Sequence, residues 1–117
     1  HADHKEWINK IAFYKDEVKV MRNRLAEVAG KYTDHDVQAM VEHFQNQFLI
    51  QRNNIDELKH RMHENLKRIE NQVKESSGFI SQSSAAENVE LYDQYLTEEK
   101  IVNEVRQEFN RFASKWM

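Results

Sequence analysis

Residues 57–64, with the sequence ELKHRMHE, combine histidine and glutamate at spacings that helical metal sites use. Glu57 precedes His60 by three residues, and His60 precedes Glu64 by four, with His63 beside Glu64. On a helix, Glu-x-x-His supplies part of the ligand set of a carboxylate di-metal centre, whose ligands project into the core of a bundle from facing helices. This stretch is therefore the first candidate for chemistry in the chain.

The hydrophobic pattern around this stretch indicates that its polar side chains face solvent. If Leu58 points toward the core, a helical step of about 100° per residue places His60 about 200° and Glu64 about 240° away from it. The sequence contains no second Glu-x-x-His. Oppositely charged residues spaced by four predict an ion-paired, solvated face. The pairs are Glu57 with Arg61, Glu64 with Arg68, and Glu70 with Lys74.

We therefore predict no metal site, no cofactor and no enzyme activity, and two alternative hypotheses stay open. One is a metal-binding, four-helix-type bundle that uses surface histidine and glutamate residues, namely Glu57, His60, His63 and Glu64. The other is a small-ligand pocket lined by aromatic residues, namely Tyr14, Tyr32, Tyr92 and Tyr95 with Trp7 or Trp116.

The composition limits the class of protein. The 117 residues include no proline, no cysteine and two glycines, and the net charge is −3. A chain of this length has room for one domain with one modest core, and the lack of proline permits long helices. No segment concentrates basic charge and no apolar run approaches about 18 residues, so we expect neither a nucleic acid partner nor a membrane span. Without cysteine or an evident leader, we expect a cytoplasmic location.

Apolar residues at spacings of four and three predict three helices, because this spacing keeps one stripe on one side of a helix. The second stripe has two successive steps of four between Leu58 and Leu66, where the strict heptad slips. The first covers about residues 3–30, with the stripe Trp7, Ile11, Tyr14, Val18, Met21, Leu25, Val28 and Tyr32. The second covers 34–75, with Val37, Val41, Phe44, Phe48, Gln51, Ile55, Leu58, Met62, Leu66, Ile69 and Val73. The third covers 85–116, with Val102, Val105, Phe109, Phe112 and Trp116.

Residues at the predicted ends of the helices agree with these limits. Gly30 is expected to cap the first helix, Thr33 to begin the second, and Ser84 with Glu87 to form a capping box for the third after a loop over 76–84. Short connections make consecutive helices antiparallel. The predicted fold is therefore all-α, an antiparallel up-down-up three-helix bundle with a long central helix.

The unequal helix lengths carry the functional prediction. The central helix is longer than the first by about 14 residues, or about 20 Å, so part of its apolar stripe lacks cover from the first helix. We predict a non-enzymatic protein–protein interaction or oligomerisation module, completed to a larger bundle by a homodimer or by a helical protein partner. The predicted contact residues are Leu66, Ile69, Val73, Val89, Tyr92 and Leu96.

Two segments also carry a resemblance to known proteins. The stretches IAFYKDEVKVMRNRLAEV (11–28) and VEHFQNQFLIQRNNIDELKH (41–60) resemble small, uncharacterised helical-bundle proteins of bacteria. The similarity covers about the first two helices. It implies a compact helical fold, and because no catalytic motif defines that group, it implies no activity and assigns no functional residue.

Overall fold

A computed structural model of the protein describes residues 2–76 and 78–117. Across these residues the chain forms the helices α1 (Ala2–Lys31), α2 (His35–Glu75) and α3 (Gln82–Trp116). Each helix packs against the other two, in a rod of 63 × 17 × 17 Å. The predicted all-α, three-helix fold is therefore confirmed. Residue 77, inside the predicted loop, lies outside the described residues.

Side-chain contacts at successive levels of the rod define the helix directions. They join His4 to Asn65 and Lys15 to Asp56 (α1 with α2), Asn65 to Glu87 and His43 to Glu108 (α2 with α3), and Tyr14 to Glu99 and Glu17 to Arg106 (α1 with α3). Residue numbers run in opposite senses across the first two interfaces and in the same sense across the third. The central helix is therefore antiparallel to both neighbours, as predicted.

The predicted stripes form most of the core, but past Met62 the buried residues of α2 include Asn65, whereas the predicted Leu66 is half-buried and Val73 is exposed. Ile11, Val18, Leu25 and Val28 of α1 are almost completely buried, and the stripe of α2 is buried from Val37 through Met62. Four phenylalanines fill one half of the rod, with ring centroids 5.2 to 5.9 Å apart around the first of them: Phe44, Phe48, Phe109 and Phe112. Burying each large apolar side chain contributes roughly 1.5–3 kcal/mol, so these stripes dominate the stabilisation of the bundle.

The ends of the helices differ from the predicted ones. Asp34 rather than Thr33 caps α2, because its Oδ1 accepts hydrogen bonds from the backbone N–H groups of Asp36 and Val37. Gly30 lies within α1, which ends at Lys31, and therefore does not form the predicted left-handed cap.

The third helix begins earlier than predicted. It starts at Gln82, and Ser81 caps it by accepting a hydrogen bond from the backbone N–H of Ser84 at 3.2 Å. Serines occur at 76, 81, 83 and 84 around this connection, and each of them can cap a helix. The predicted capping box at Ser84 with Glu87 is therefore wrong, and the connection is shorter than predicted.

The second and third helices are both continuous. The central helix runs through Asn53 and Asn54 without interruption, as the constant phase of its apolar stripe predicts. The third helix runs through Thr97, whose hydroxyl donates to the backbone carbonyl of Asp93 at 3.1 Å. Continuous helices keep the side chains described below in fixed register along the rod.

Candidate functional site

Within the residues that the structure describes, one end of the rod consists of two helices instead of three. The His4 Nε2 atom lies 3.3 Å from Oδ1 of Asn65, and both side chains are buried. The described part of α1 begins at Ala2, about half a turn beyond this level, whereas α2 continues to Glu75. We call residues 66–75 of α2 and 82–88 of α3 the two-helix end. Its overhang is somewhat shorter than the predicted 20 Å.

Polar contacts hold α2 and α3 together at the two-helix end. The Gln72 side chain donates to the hydroxyl oxygens of Ser81 and Ser84 at 3.2 and 3.0 Å, and its Oε1 accepts from the Ser81 backbone N–H at 3.0 Å. Asn65 donates to the Ser84 carbonyl oxygen at 3.2 Å and to Glu87 Oε1 at 3.0 Å. The side of α2 that faces α3 is therefore polar here, and the apolar side chains lie elsewhere.

Three of the predicted contact residues lie together on α2. Leu66 is half-buried, Ile69 is 5% exposed and Val73 is 40% exposed. With Glu70 and Lys74 they line a groove of about 380 Å³. The Ile69 side chain is thus already covered by its own chain. Leu66 and Val73 provide the accessible apolar surface of the groove.

The heptad position of Leu66 and Val73 shows which direction they face. Counting back by sevens from Val73 gives Leu66, Lys59, Arg52 and Gln45, which all lie on one side of a supercoiled helix. Arg52 and Gln45 line surface grooves together with residues of α1. Leu66 and Val73 therefore lie on the flank of α2 that borders α1 elsewhere, and they continue it past the level of His4.

The three predicted contact residues of α3 lie in other places. The Tyr92 ring packs against the indole of Trp7, with centroids 4.3 Å apart, so it belongs to the interface of α1 with α3. Val89 and Leu96 are exposed, and their spacing of seven puts them on one face of α3, roughly opposite the buried Leu91. The six predicted residues therefore do not form one continuous surface.

The histidine-rich stretch lies mostly on the solvent side of α2. His60, His63 and Glu64 are exposed, and Glu57 borders a cleft between α2 and α3. Within residues 2–76 and 78–117, no group of three or more histidine and acidic side chains is placed to hold a metal ion. These residues therefore provide no described ligand set for the metal-binding alternative.

The charged residues of this stretch pair differently from the prediction. Arg61 donates to Gln94 Oε1 at 2.8 Å, and Arg68 forms an ion pair with Glu87, so these two arginines of α2 contact α3. The three predicted pairs within α2 are absent from the ion pairs of the described chain. That prediction is wrong, because a neighbouring helix offers partners that a pattern within one helix does not reveal.

The aromatic residues of the third hypothesis form two separate clusters. Tyr32 packs edge-on against Trp116 at 5.3 Å, near the connection of α1 with α2. Trp7 packs with Tyr92 and Tyr95 toward the other end. The single aromatic pocket proposed from the sequence is therefore divided between two distant levels of the rod.

A carboxylate that the sequence analysis left out links α1 to α3. Glu99 Oε2 accepts hydrogen bonds from the hydroxyls of Tyr14 at 2.6 Å and Tyr95 at 3.0 Å. The Tyr14 hydrogen bond is the largest effect that lowers the pKa of Glu99. Burial, followed by the bond to Glu99, raises the pKa of Tyr14 to about 12 and that of Tyr95 further. No pattern in the sequence identifies this cluster, because its members come from different helices.

None of the helices across the described residues is both long enough and apolar enough to cross a membrane. The small helical bundle agrees with the fold that the resemblance implies, whereas the bacterial part of that resemblance has no support from known proteins. No protein-family model, no curated protein and no solved structure matches the chain.

Proposed function

We propose that the protein is a non-enzymatic interaction module that self-associates through its two-helix end. The observation that carries this proposal is the position of Leu66 and Val73. They occupy the flank of α2 that borders α1 elsewhere, and they line a groove of about 380 Å³ beyond the level of His4. Helices in a bundle bury such a flank against a further helix, and a second molecule can supply it.

A second copy of the chain is the occupant that the charges favour. Residues 64–75 carry three acidic and three basic side chains, namely Glu64, Glu70 and Glu75 with Lys67, Arg68 and Lys74. A balanced segment of this kind does not repel a copy of itself. In a two-fold symmetric dimer, the groove of each copy contacts the α2 flank of the other copy. The same surface is then buried on both copies, and no further copies can be added.

The accessible apolar area sets the expected strength. A stable interface buries about 800 Å² on each partner, far more than Leu66 and Val73 expose. Because Ile69 is only 5% exposed, it has little apolar area left to bury in a contact. We therefore expect weak self-association, in which Glu70 and Lys74 at the rim of the groove share the contact.

Sedimentation velocity from about 10 µM to about 1 mM tests the proposal, since weak dimers have dissociation constants in this range. We expect the wild-type mass to rise with concentration. The substitution Val73→Glu places a charge in the groove at a side chain that is 40% exposed. It should return the mass to that of a monomer while leaving the helical circular dichroism unchanged.

Val20→Glu is the matched control. Val20 is 56% exposed on α1 and lies outside the groove, so the same change in charge and size should leave self-association intact. A wild-type chain that stays monomeric at about 1 mM would contradict the proposal. Equal weakening by both substitutions would contradict it as well, because the effect would then follow from net charge.

A further inference from the structure

Two buried polar side chains face each other near the middle of the rod. Gln51 is 4% exposed on α2 between the core residues Phe48 and Ile55, and Glu98 is 6% exposed on α3. With the amide nitrogen turned toward Glu98, Gln51 Nε2 lies 2.6 Å from Oε2 and 3.2 Å from Oε1. The pair therefore replaces an apolar contact in the seam between the two helices.

The surroundings of Glu98 offer little compensation for a negative charge. The neighbouring cleft between α2 and α3, about 420 Å³ in volume, is lined by Glu57 and Arg61 of α2 and by Glu90 and Asp93 of α3. Arg61 donates to Gln94, and no cation of the described chain forms an ion pair with Glu98.

The first helix does not compensate the charge either. Its groups Lys10, Tyr14 and Glu17 interact with Glu99 and its tyrosine partners, and not with Glu98. Burial alone raises the pKa of Glu98 to about 7, because water is removed from the charged form.

The amide of Gln51 satisfies the neutral acid better than the carboxylate. A protonated Glu98 has one O–H to donate, and Gln51 Oε1 can accept it after rotation of the amide. An ionised Glu98 presents about four acceptor positions, and one amide fills at most two of them. The carboxylate therefore keeps unfilled acceptor positions in addition to an uncompensated charge, whereas the neutral acid has its one donor satisfied.

We propose that Gln51 and Glu98 form a proton-dependent contact between α2 and α3, closed when Glu98 is neutral and opened toward the cleft when Glu98 is ionised. The cleft gives water a short route to the carboxylate, since Glu98 is itself one of its lining residues. Ionisation then loosens the pairing of α2 with α3 at this level, without a role for the two-helix end. Proton uptake near neutral pH thus tightens the bundle.

Direct titration of wild-type protein gives the first test. The carboxyl carbon of Glu98, followed by ¹³C NMR, should titrate with a midpoint about 7 in the folded protein and near 4.5 in the urea-unfolded chain. Amide hydrogen exchange of residues 95–102 should become faster above that midpoint, after correction for the intrinsic pH dependence of exchange. A folded midpoint below about 5 would overturn the proposal.

Urea unfolding at pH 5 and pH 8 gives the second test. Because the folded pKa is raised, the contribution of neutral Glu98 to stability is present at low pH and is lost as pH rises toward the folded pKa. The unfolding constant of the wild type should increase by on the order of tenfold to a hundredfold between these pH values.

Two variants identify the titrating residue. Glu98→Gln should remove this increase, whereas Glu90→Gln, in the same cleft but exposed, should keep it. The difference between wild type and Glu98→Gln removes the contribution of every other group that the two proteins share. An unchanged pH dependence in Glu98→Gln would overturn the proposal, and if that variant does not fold, the wild-type titration decides alone.

Discussion

At the scale of single residues, a few polar side chains between the helices determine how the helices are aligned along the rod. Glu99 joins α1 to α3 by accepting from two tyrosines, and Arg106 joins the same helices by donating to both carboxylate oxygens of Glu17 at 2.8 and 2.6 Å. Hydrogen bonds to a charged group contribute about 1.5–3 kcal/mol, more than neutral ones. These contacts fix the relative height of two parallel helices whose apolar stripes alone would permit sliding.

The Glu99 cluster leads to a prediction for a single substitution. Glu99→Gln replaces two charge-assisted hydrogen bonds by neutral ones and should lower the free energy of unfolding at pH 7 by about 1–2 kcal/mol, measured with urea. Because the tyrosine bonds lower the pKa of Glu99, its contribution is present above the ordinary carboxyl pKa and is lost in acid. The difference from wild type should therefore shrink as the pH falls below about 4.

The control for that prediction is Glu104→Gln, which changes the same charge at an exposed position of α3. We expect a change within about 0.5 kcal/mol, as for most surface substitutions. Equal effects at positions 99 and 104 would show that the charge matters and that the tyrosine contacts do not.

The limits of sequence reasoning are clearest at this scale. Gln51 was recognisable as a polar residue on an apolar stripe, because the stripe defines the expected residue type. Glu98 and Glu99 looked only like interruptions of the third stripe, although one is buried against Gln51 and the other binds two tyrosines. The spacing of apolar residues along one helix gives no information about which side chain of a neighbouring helix a given residue contacts.

At the scale of helices, the sequence was sufficient to predict that each helix exists and roughly how long it is, but not at which residue it begins or ends. The stripes predicted each helix to within a few residues, since burial of an apolar face dominates helix stability. The ends depend on differences of about 1 kcal/mol between neighbouring polar residues that can all form caps. Thr33 and Asp34 are adjacent candidates, and the structure uses Asp34.

Substitution of these neighbours tests which one caps α2. Asp34→Ala should lower the free energy of unfolding by about 1 kcal/mol, because two backbone N–H groups at the start of the helix lose their acceptor. Thr33→Ala should have an effect of less than about 0.5 kcal/mol. Thermal or urea unfolding of both variants gives the answer, and the reverse order would restore the cap predicted from the sequence.

At the scale of the whole molecule, stability is distributed unevenly along the rod. The phenylalanine cluster lies in the half that contains the connection of α1 with α2, whereas Gln72, Ser81 and Ser84 form a polar contact at the other end. Segments with few buried apolar contacts open at lower free energy than the core. The proposed association surface thus lies in the part of the bundle that is easiest to rearrange.

A pair of phenylalanine substitutions checks this distribution. Phe109→Ala removes a completely buried ring from the cluster and should cost about 3–5 kcal/mol of unfolding free energy. Phe13→Ala removes an exposed ring from α1 and should cost less than about 1 kcal/mol. Calorimetry of the two variants measures the difference, and similar losses would mean that the phenylalanine cluster does not dominate the core.

The proportions of the rod have a practical consequence for hydrodynamic measurements. Its radius of gyration is 18.4 Å, whereas a compact globule of this chain length has about 13 Å. An elongated particle tumbles slowly about its short axes and elutes early from a sizing column, so a single copy resembles a heavier sphere. Calibration against globular standards would therefore overstate its mass, and an apparent mass above that of the monomer is the expected behaviour of one molecule alone.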